Sequence, residues 1–238
     1  MRSFFIICIG VCFISCTSNT NTTILIKNDD IVKVVFNNFS DVDITINTSE
    51  FCRDVNIDKF NTGCNYTTKT TVIGKDTRVF LIELFNQTIN SYYKDIYVEG
   101  DLGEPDLKIE NNAQLKYIGN IKTQKNISSL LFLLMDSDVN NTHYLILYNL
   151  ENQKLRSIVV LAEQMNFSSE NGNESYYHPN YFVQLSNFSK TEKDSSTSVF
   201  PKSFMKKVGI KDTKCTFQYF SMFTVDTNGY IQFINICE

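Results

Sequence analysis

Tryptophan is absent, and histidine (2), proline (3) and glycine (9) are scarce in a chain of 238 residues. The shortage of histidine counts first against catalysis. A Ser–His–acid or Cys–His engine needs a base poised near neutral pH. Only His143 and His178 are available. The first begins an apolar run, where an exposed or hydrogen-bonded ring suffices; the second lies in a tyrosine-rich loop. No Gly-x-Ser-x-Gly, phosphate-cradling glycine loop or His-Glu-x-x-His occurs. Excess positive charge is missing too: 22 Lys and Arg stand against 26 Asp and Glu, for a net charge of −4. That removes the electrostatic footprint of a nucleic-acid binder. No closely spaced cysteine pair suggests a zinc site. No repeat of fixed period argues for a propeller or solenoid. Non-enzymatic, without cofactor or metal, is the expectation.

What the chain has in quantity is strand-length apolar runs. The stretch 129–161 holds three, Leu130–Met135, Tyr144–Tyr148 and Leu155–Leu161, separated by two short polar loops. Short loops between such runs predict an antiparallel meander. Thr216–Val225 and Tyr230–Ile236 flank Asp226-Thr227-Asn228-Gly229, and Asn-Gly predicts a hairpin turn. Thr23–Lys27, Ile31–Phe36, Val42–Asn47, Leu115–Ile121 and Tyr181–Leu185 read as further strands. So do Arg78–Phe85 and Ile89–Val98, with Asn86-Gln87-Thr88 as their connection. The fold class expected is all-β, with antiparallel meander or sandwich-like sheets and little helix; Ser203–Val208 could form a turn or two. The Gly- and Pro-containing stretch 100–113 is the best boundary. It separates an N-terminal β-module, 23–99, from a C-terminal one, 115–238, or forms a long loop within one domain.

The beginning of the chain reads as a targeting segment. Arg2 precedes the apolar run Phe4–Ile14, 11 residues long. That is too short to cross a bilayer, which takes about 20 helical residues. We expect residues 1–15 to be a signal peptide and 16–22, polar throughout, a tether. Cys8 and Cys12 lie within the segment; Cys16, Cys52, Cys64, Cys215 and Cys237 follow it. Cys16, after Ser15, resembles the acylated cysteine of a bacterial lipobox, although Phe13 stands where leucine is usual. The alternative is a viral or eukaryotic signal peptide, with Cys16 removed or free. Cys52–Cys64 and Cys215–Cys237 are the favoured disulfides in an oxidising compartment. The first would restrain a polar loop and the second would clamp the C-terminal hairpin.

Asparagine is abundant, at 26 residues, and ten begin Asn-x-Ser/Thr sequons: Asn21, Asn38, Asn47, Asn65, Asn86, Asn126, Asn140, Asn166, Asn173 and Asn187. That is about twice the number expected if Ser and Thr were placed at random. In a viral or eukaryotic secretory pathway these are glycosylation sites; in a bacterium they are inert. Other clusters have plain explanations. Asp136-Ser137-Asp138-Val139-Asn140 spaces oxygen ligands like a calcium loop. However, it has Asn141 where the loop needs glycine and Leu147 where it needs an acid. Glu99, Asp101, Glu104 and Asp106 fall in a loop rich in turn formers, where a glycosidase pair would need a cleft. Lys202, Lys206, Lys207, Lys211 and Lys214 read as a solvated face. Tyr176, Tyr177 and Tyr181 read as a contact surface or as packing over a sheet.

Three passages, YLILYNLENQKLRSIVVLAEQ (144–164), TVDTNGYIQFI (224–234) and Ser15-Cys16-Thr17-Ser18-Asn19, resemble the small uncharacterised lipoproteins of Bacteroidetes. The likeness covers about a third of the chain and transfers no catalytic residue. It implies a non-catalytic, lipid-anchored β-protein of the cell envelope, with a binding or structural role and a protein or glycan partner. No acidic run follows Cys16, which favours the periplasmic side. The alternative is a secreted viral or eukaryotic glycoprotein that binds a host immune ligand.

Overall fold

The computed structural model describes residues 34–62, 70–97, 108–136, 142–164, 172–178, 181–188 and 219–234. Its centre is the expected meander. Strands β5 (Ile127–Met135), β6 (His143–Glu151) and β7 (Lys154–Gln164) pair antiparallel along their length. Alternate side chains of each strand enter different cores. Leu130, Phe132 and Leu134 share one with Ile146, Tyr148, Leu150, Ile158 and Val160. Leu131 and Leu133 share the other with Leu145, Leu147 and Val159. Strands covered on both faces read as continuous apolar runs, which is why this stretch stands out in the sequence.

Each face has its own cover. Helix α1 (Lys75–Tyr97) lies on the first, burying Leu81, Ile82, Leu84, Phe85 and Ile89. This corrects the expectation of two strands at 78–85 and 89–98. Phe80, Glu83, Gln87, Asn90 and Ser91 are exposed while Leu81, Ile82, Phe85, Thr88 and Ile89 are buried, a spacing of 3 to 4. The helical period is present but needs more than the eight residues of RVFLIELF to show. The Gly74 carbonyl accepts the first helical bond, from the Arg78 N–H at 2.9 Å, and Asp76 complements the dipole in the first turn. Two polar contacts pin the helix. The Tyr148 hydroxyl donates to the Leu81 carbonyl at 2.8 Å. The Asn86 amide exchanges two bonds of 2.9 Å with the Ile109 backbone.

The second face is covered by the sheet's own continuation. Beyond β7 come β8 (Gly172–His178), β9 (Tyr181–Phe188), β10 (Tyr219–Val225) and β11 (Ile231–Phe233), each paired to its predecessor. Only Glu163 with Asn173 and Gln164 with Gly172 join β7 to β8. The sheet therefore folds over at this seam. Phe182, Phe223, Val225 and Ile231 come down onto the second core, Phe182 stacking on Phe223 at 5.1 Å. The result is a sandwich-like all-β fold with a helix on its outer face.

Earlier segments fill the seam and the far edge. Strand β1 (Phe36–Asn38) pairs with β7 beside its diverging neighbour. The chain at 51–60 then runs extended from β4 (Gln114–Ile121) to β8. Val55 and Asn120 are hydrogen-bonded at one end, and β2 (Lys59–Phe60) pairs with Tyr176 and Ser175 at the other. A side chain at Gly119, beside a bulge in β4, would collide with Val55, so this crossing needs a glycine there. The two-residue β3 (Thr71–Val72) ends the sheet against β4. Thr23–Lys27 and Ser203–Val208 lie outside the described residues.

The β6–β7 turn carries positive φ at Asn152 (50°) and Gln153 (67°). That is the type I′ geometry of two-residue hairpins, where Asn-Gly is preferred. Gln153 bears the penalty of a left-handed backbone with a Cβ, about 1–2 kcal/mol. Gln153→Gly is expected to raise unfolding stability by about 0.5–1 kcal/mol, the gain reduced by glycine's greater unfolded-state freedom. A urea midpoint unchanged or lowered would contradict this.

Candidate functional site

A depression of about 460 Å³ lies at the β4–β5 connection. Asp54, Lys122, Thr123, Gln124, Lys125 and Ser128 contribute to its wall. Several of its polar groups already serve the fold. Gln124 donates to the Val225 carbonyl at 2.9 Å, and the Lys122 carbonyl accepts from the Tyr177 hydroxyl at 2.8 Å.

From this depression a chain of hydrogen bonds runs through the second core. Thr123 and Ser129 hydroxyls are 2.6 Å apart, Ser129 donates to Asn149 Oδ1 at 2.7 Å, Asn149 Nδ2 donates to Ser157 Oγ at 2.9 Å, and Ser157 donates to the Gly229 carbonyl at 2.6 Å. Ser129, Asn149 and Ser157 are fully buried and adjacent in register across β5, β6 and β7. Their direction follows from one end. A carbonyl can only accept, so Ser157 spends its proton on Gly229 and must receive from the Asn149 amide. Asn149 then turns its oxygen to Ser129, and Thr123 donates in turn. Gly229, at φ 87°, is held at the hairpin tip where a Cβ would press on Arg156.

Elsewhere, Lys59 and Glu174 pair at 3.2 Å, with the Tyr176 hydroxyl on the same carboxylate at 3.2 Å. Burial raises the Tyr148 phenol far above its usual range and pushes Tyr117 up to about 12. Burial also raises Tyr181 and the Glu163 carboxyl, while the bond to Glu151 raises Arg156. At neutral pH the phenols are therefore protonated and Arg156 is charged. Among the described residues no group of His, Cys, Asp and Glu could hold a metal ion, and no helix is long and apolar enough to cross a membrane.

The residues singled out in the sequence are scattered. Cys52 is an exposed free thiol on the outward phase of the 51–60 segment, 3.2 Å from the Ser49 carbonyl. Cys16, Cys64, Cys215 and Cys237 lie outside the described residues, as do Asn21, Asn65, Asn140 and Asn166. So do the acidic residues of 99–106 and the lysines of 202–214. Asp136, buried at the end of β5, is described without the rest of its loop, and Leu147 is wholly buried in the second core. His143 is half-buried, opposite Met135 and Gln164. His178 pairs with Tyr181 across β8 and β9.

Among the sequons, Asn47 and Asn126 are exposed. Asn38 is half-buried, its amide bonded to both backbone groups of Ile231. Asn86 is buried, and Asn173 and Asn187 lie on β8 and β9. The hydrogen-bonded ladder escaped the sequence reading. Its trace there is a polar residue beside or within each apolar run: Ser129 before Leu130–Met135, Asn149 after Tyr144–Tyr148 and Ser157 inside Leu155–Leu161. Comparison of the chain with family models, curated proteins and solved structures finds no match.

Asn149→Leu keeps the volume but leaves the Ser129 and Ser157 hydroxyls without their central partner. Each hydroxyl keeps its outer bond, so at about 1–2 kcal/mol for each inner bond lost a loss of about 2–4 kcal/mol is expected. In denaturant titrations Ser129→Ala should cost less in the Asn149→Leu background than alone, because its partner is already gone; strictly additive losses would contradict the ladder.

Glu163 gives a pH prediction. Its folded carboxyl binds protons more tightly than the unfolded one, so its contribution falls as pH rises from the unfolded value through the folded one. Glu163→Gln should therefore raise the urea midpoint at pH 7 and change it little at pH 4. Equal shifts at both pH values would exclude this origin.

Proposed function

We propose that this chain is a non-catalytic β-protein of a cell envelope, anchored through acyl groups on Cys16. In this reading it acts by binding or scaffolding through its loops. The observation that carries the reading is the junction where the apolar run Phe4–Ile14 ends at Ser15-Cys16 and a wholly polar segment, 17–22, begins. Val34, the first described residue, is already packed in the second core. The polar segment and the residues up to 33 would thus connect the anchor to the fold. Acyl chains contribute about 0.8 kcal/mol per buried methylene, and two or more hold a protein stably. The burial of both meander faces supports assigning contacts to loops and edges. The periplasmic side is the preferred location, and the partner would be a protein or a glycan.

A second reading is a secreted viral or eukaryotic glycoprotein that binds a host immune ligand. The exposure of Asn47 and Asn126 favours it, because both side chains are open to solvent.

The mature protein, purified from its natural source, separates the two. The first reading expects a chain beginning at Cys16 with the mass of its acyl groups, partitioning into detergent. Cys16→Ala should move it to the aqueous phase. Glycan mass on a water-soluble chain would replace the first reading with the second. An unmodified Cys16 without glycan would overturn both.

A further inference from the structure

The ten sequons are equivalent in the sequence and unequal in the fold. At Asn86 both working residues of the sequon have structural tasks. The Asn86 amide, 9% exposed, gives its nitrogen to the Ile109 carbonyl and its oxygen to the Ile109 N–H, both at 2.9 Å. Thr88 is fully buried and donates its hydroxyl to the Leu84 carbonyl at 3.0 Å. Both lie near the middle of α1, whose buried side faces the first core. Asn47 and Asn126 differ. Each is exposed; Asn47 offers only its oxygen, to the Ser49 N–H at 3.0 Å, leaving the amide nitrogen to solvent. Asn126 lies in the β4–β5 connection, and Ser128 of its sequon is exposed as well.

We infer that the fold partitions these sites: in a glycosylating secretory pathway Asn47 and Asn126 take N-glycans, whereas a glycan on Asn86 blocks folding. In that transfer the Asn amide nitrogen displaces a lipid-linked pyrophosphate from the sugar anomeric carbon. An N–C bond forms, the nitrogen gives up one proton, and the lipid pyrophosphate departs. Transfer precedes folding, so the unfolded Asn86 sequon is a substrate. Once modified, the nitrogen carries a sugar where the Ile109 backbone must sit. Asn86 thereby becomes a site at which modification competes with folding. The two exposed sites deepen the secreted-glycoprotein reading, and the exclusion at Asn86 is a property of the fold whatever the source.

The test places the complete mature chain behind a heterologous signal peptide in cultured animal cells. Occupancy is then mapped by glycosidase release in heavy-oxygen water and mass spectrometry. The secreted protein is expected to be occupied at Asn47 and Asn126 and unoccupied at Asn86. Glycan at Asn86 in secreted protein, or bare Asn47 and Asn126, would overturn the partition.

Thr88→Val removes the Asn86 sequon while keeping the Asn86 amide and nearly the same buried volume. It should raise the secreted yield in animal cells and leave unchanged or lower the yield of soluble protein from a non-glycosylating bacterial host, where only the lost bond to Leu84 is felt. The same change in both hosts, or none in animal cells, would overturn it. These results concern the fold in a chosen host, so they stand apart from the mass measurement on natural protein that decides between anchor and secretion.

Discussion

The constraint on which the structure depends is that β5, β6 and β7 are apolar on both faces. A sheet of this kind cannot leave either side in water, since each large aliphatic or aromatic side chain left exposed forfeits about 1.5–3 kcal/mol. One side is met by α1, a single rod laid across Phe132, Ile146 and Tyr148. The other is met by the chain's own later strands, folded back at the two-pair seam between β7 and β8. The seam leaves part of β7 unpaired, and β1 takes that place. Helix, fold-back and inserted strand thus follow from one requirement. The order of elements along the chain is less informative than the two faces they serve.

Apolar burial alone does not choose a register. A slip of one residue in β6 would exchange Leu145 and Leu147 for Ile146 and Tyr148, and both sets are apolar. The ladder from Thr123 to Gly229 breaks that degeneracy. Ser129, Asn149 and Ser157 meet only in the observed pairing, and a slip would turn Asn149 into the first core without partners. The same ladder reaches the terminal hairpin through a main-chain carbonyl, so the fold-back is positioned as well as buried. Tyr148 plays the corresponding part on the helix side, with its hydroxyl on the Leu81 carbonyl.

The meander and the terminal hairpin were legible because their turns are marked by short polar stretches and their pairing is local. Taken locally, the sequence of helix α1 reads as two strands. Its central run is dense in apolar residues, and Asn86-Gln87-Thr88 looks like a turn when taken locally. The decisive evidence lay further out, in exposed positions spaced by 3 and 4 from Phe80 to Ser91. The pairing of β1 with β7 and of β2 with β8 was not legible at all. Each joins residues more than 100 positions apart, and no local periodicity encodes which distant edge a short strand will find. The depression at the β4–β5 connection had no sequence signature either, being made of ordinary loop residues brought beside Asp54.

Asparagine takes on a different meaning in the fold. A carboxamide carries the same donor and acceptor as a peptide unit, so it can stand in for a missing strand or turn neighbour. Asn38 does so against Ile231, and Asn86 against Ile109, each through a pair of bonds. Asn120 gives its nitrogen to the Phe51 carbonyl, Asn149 centres the ladder, and Asn152 accepts the left-handed backbone of a tight turn. The Gln184 amide reaches the Val160 carbonyl in the same manner. These amides sit where irregular crossings leave main-chain groups beyond the ladders. In a sheet that folds back on itself and admits inserted segments, such places are frequent. The asparagine content is therefore partly a requirement of this topology, and a sequon count read without the structure mixes two populations: amides that face water and amides that hold the chain to itself.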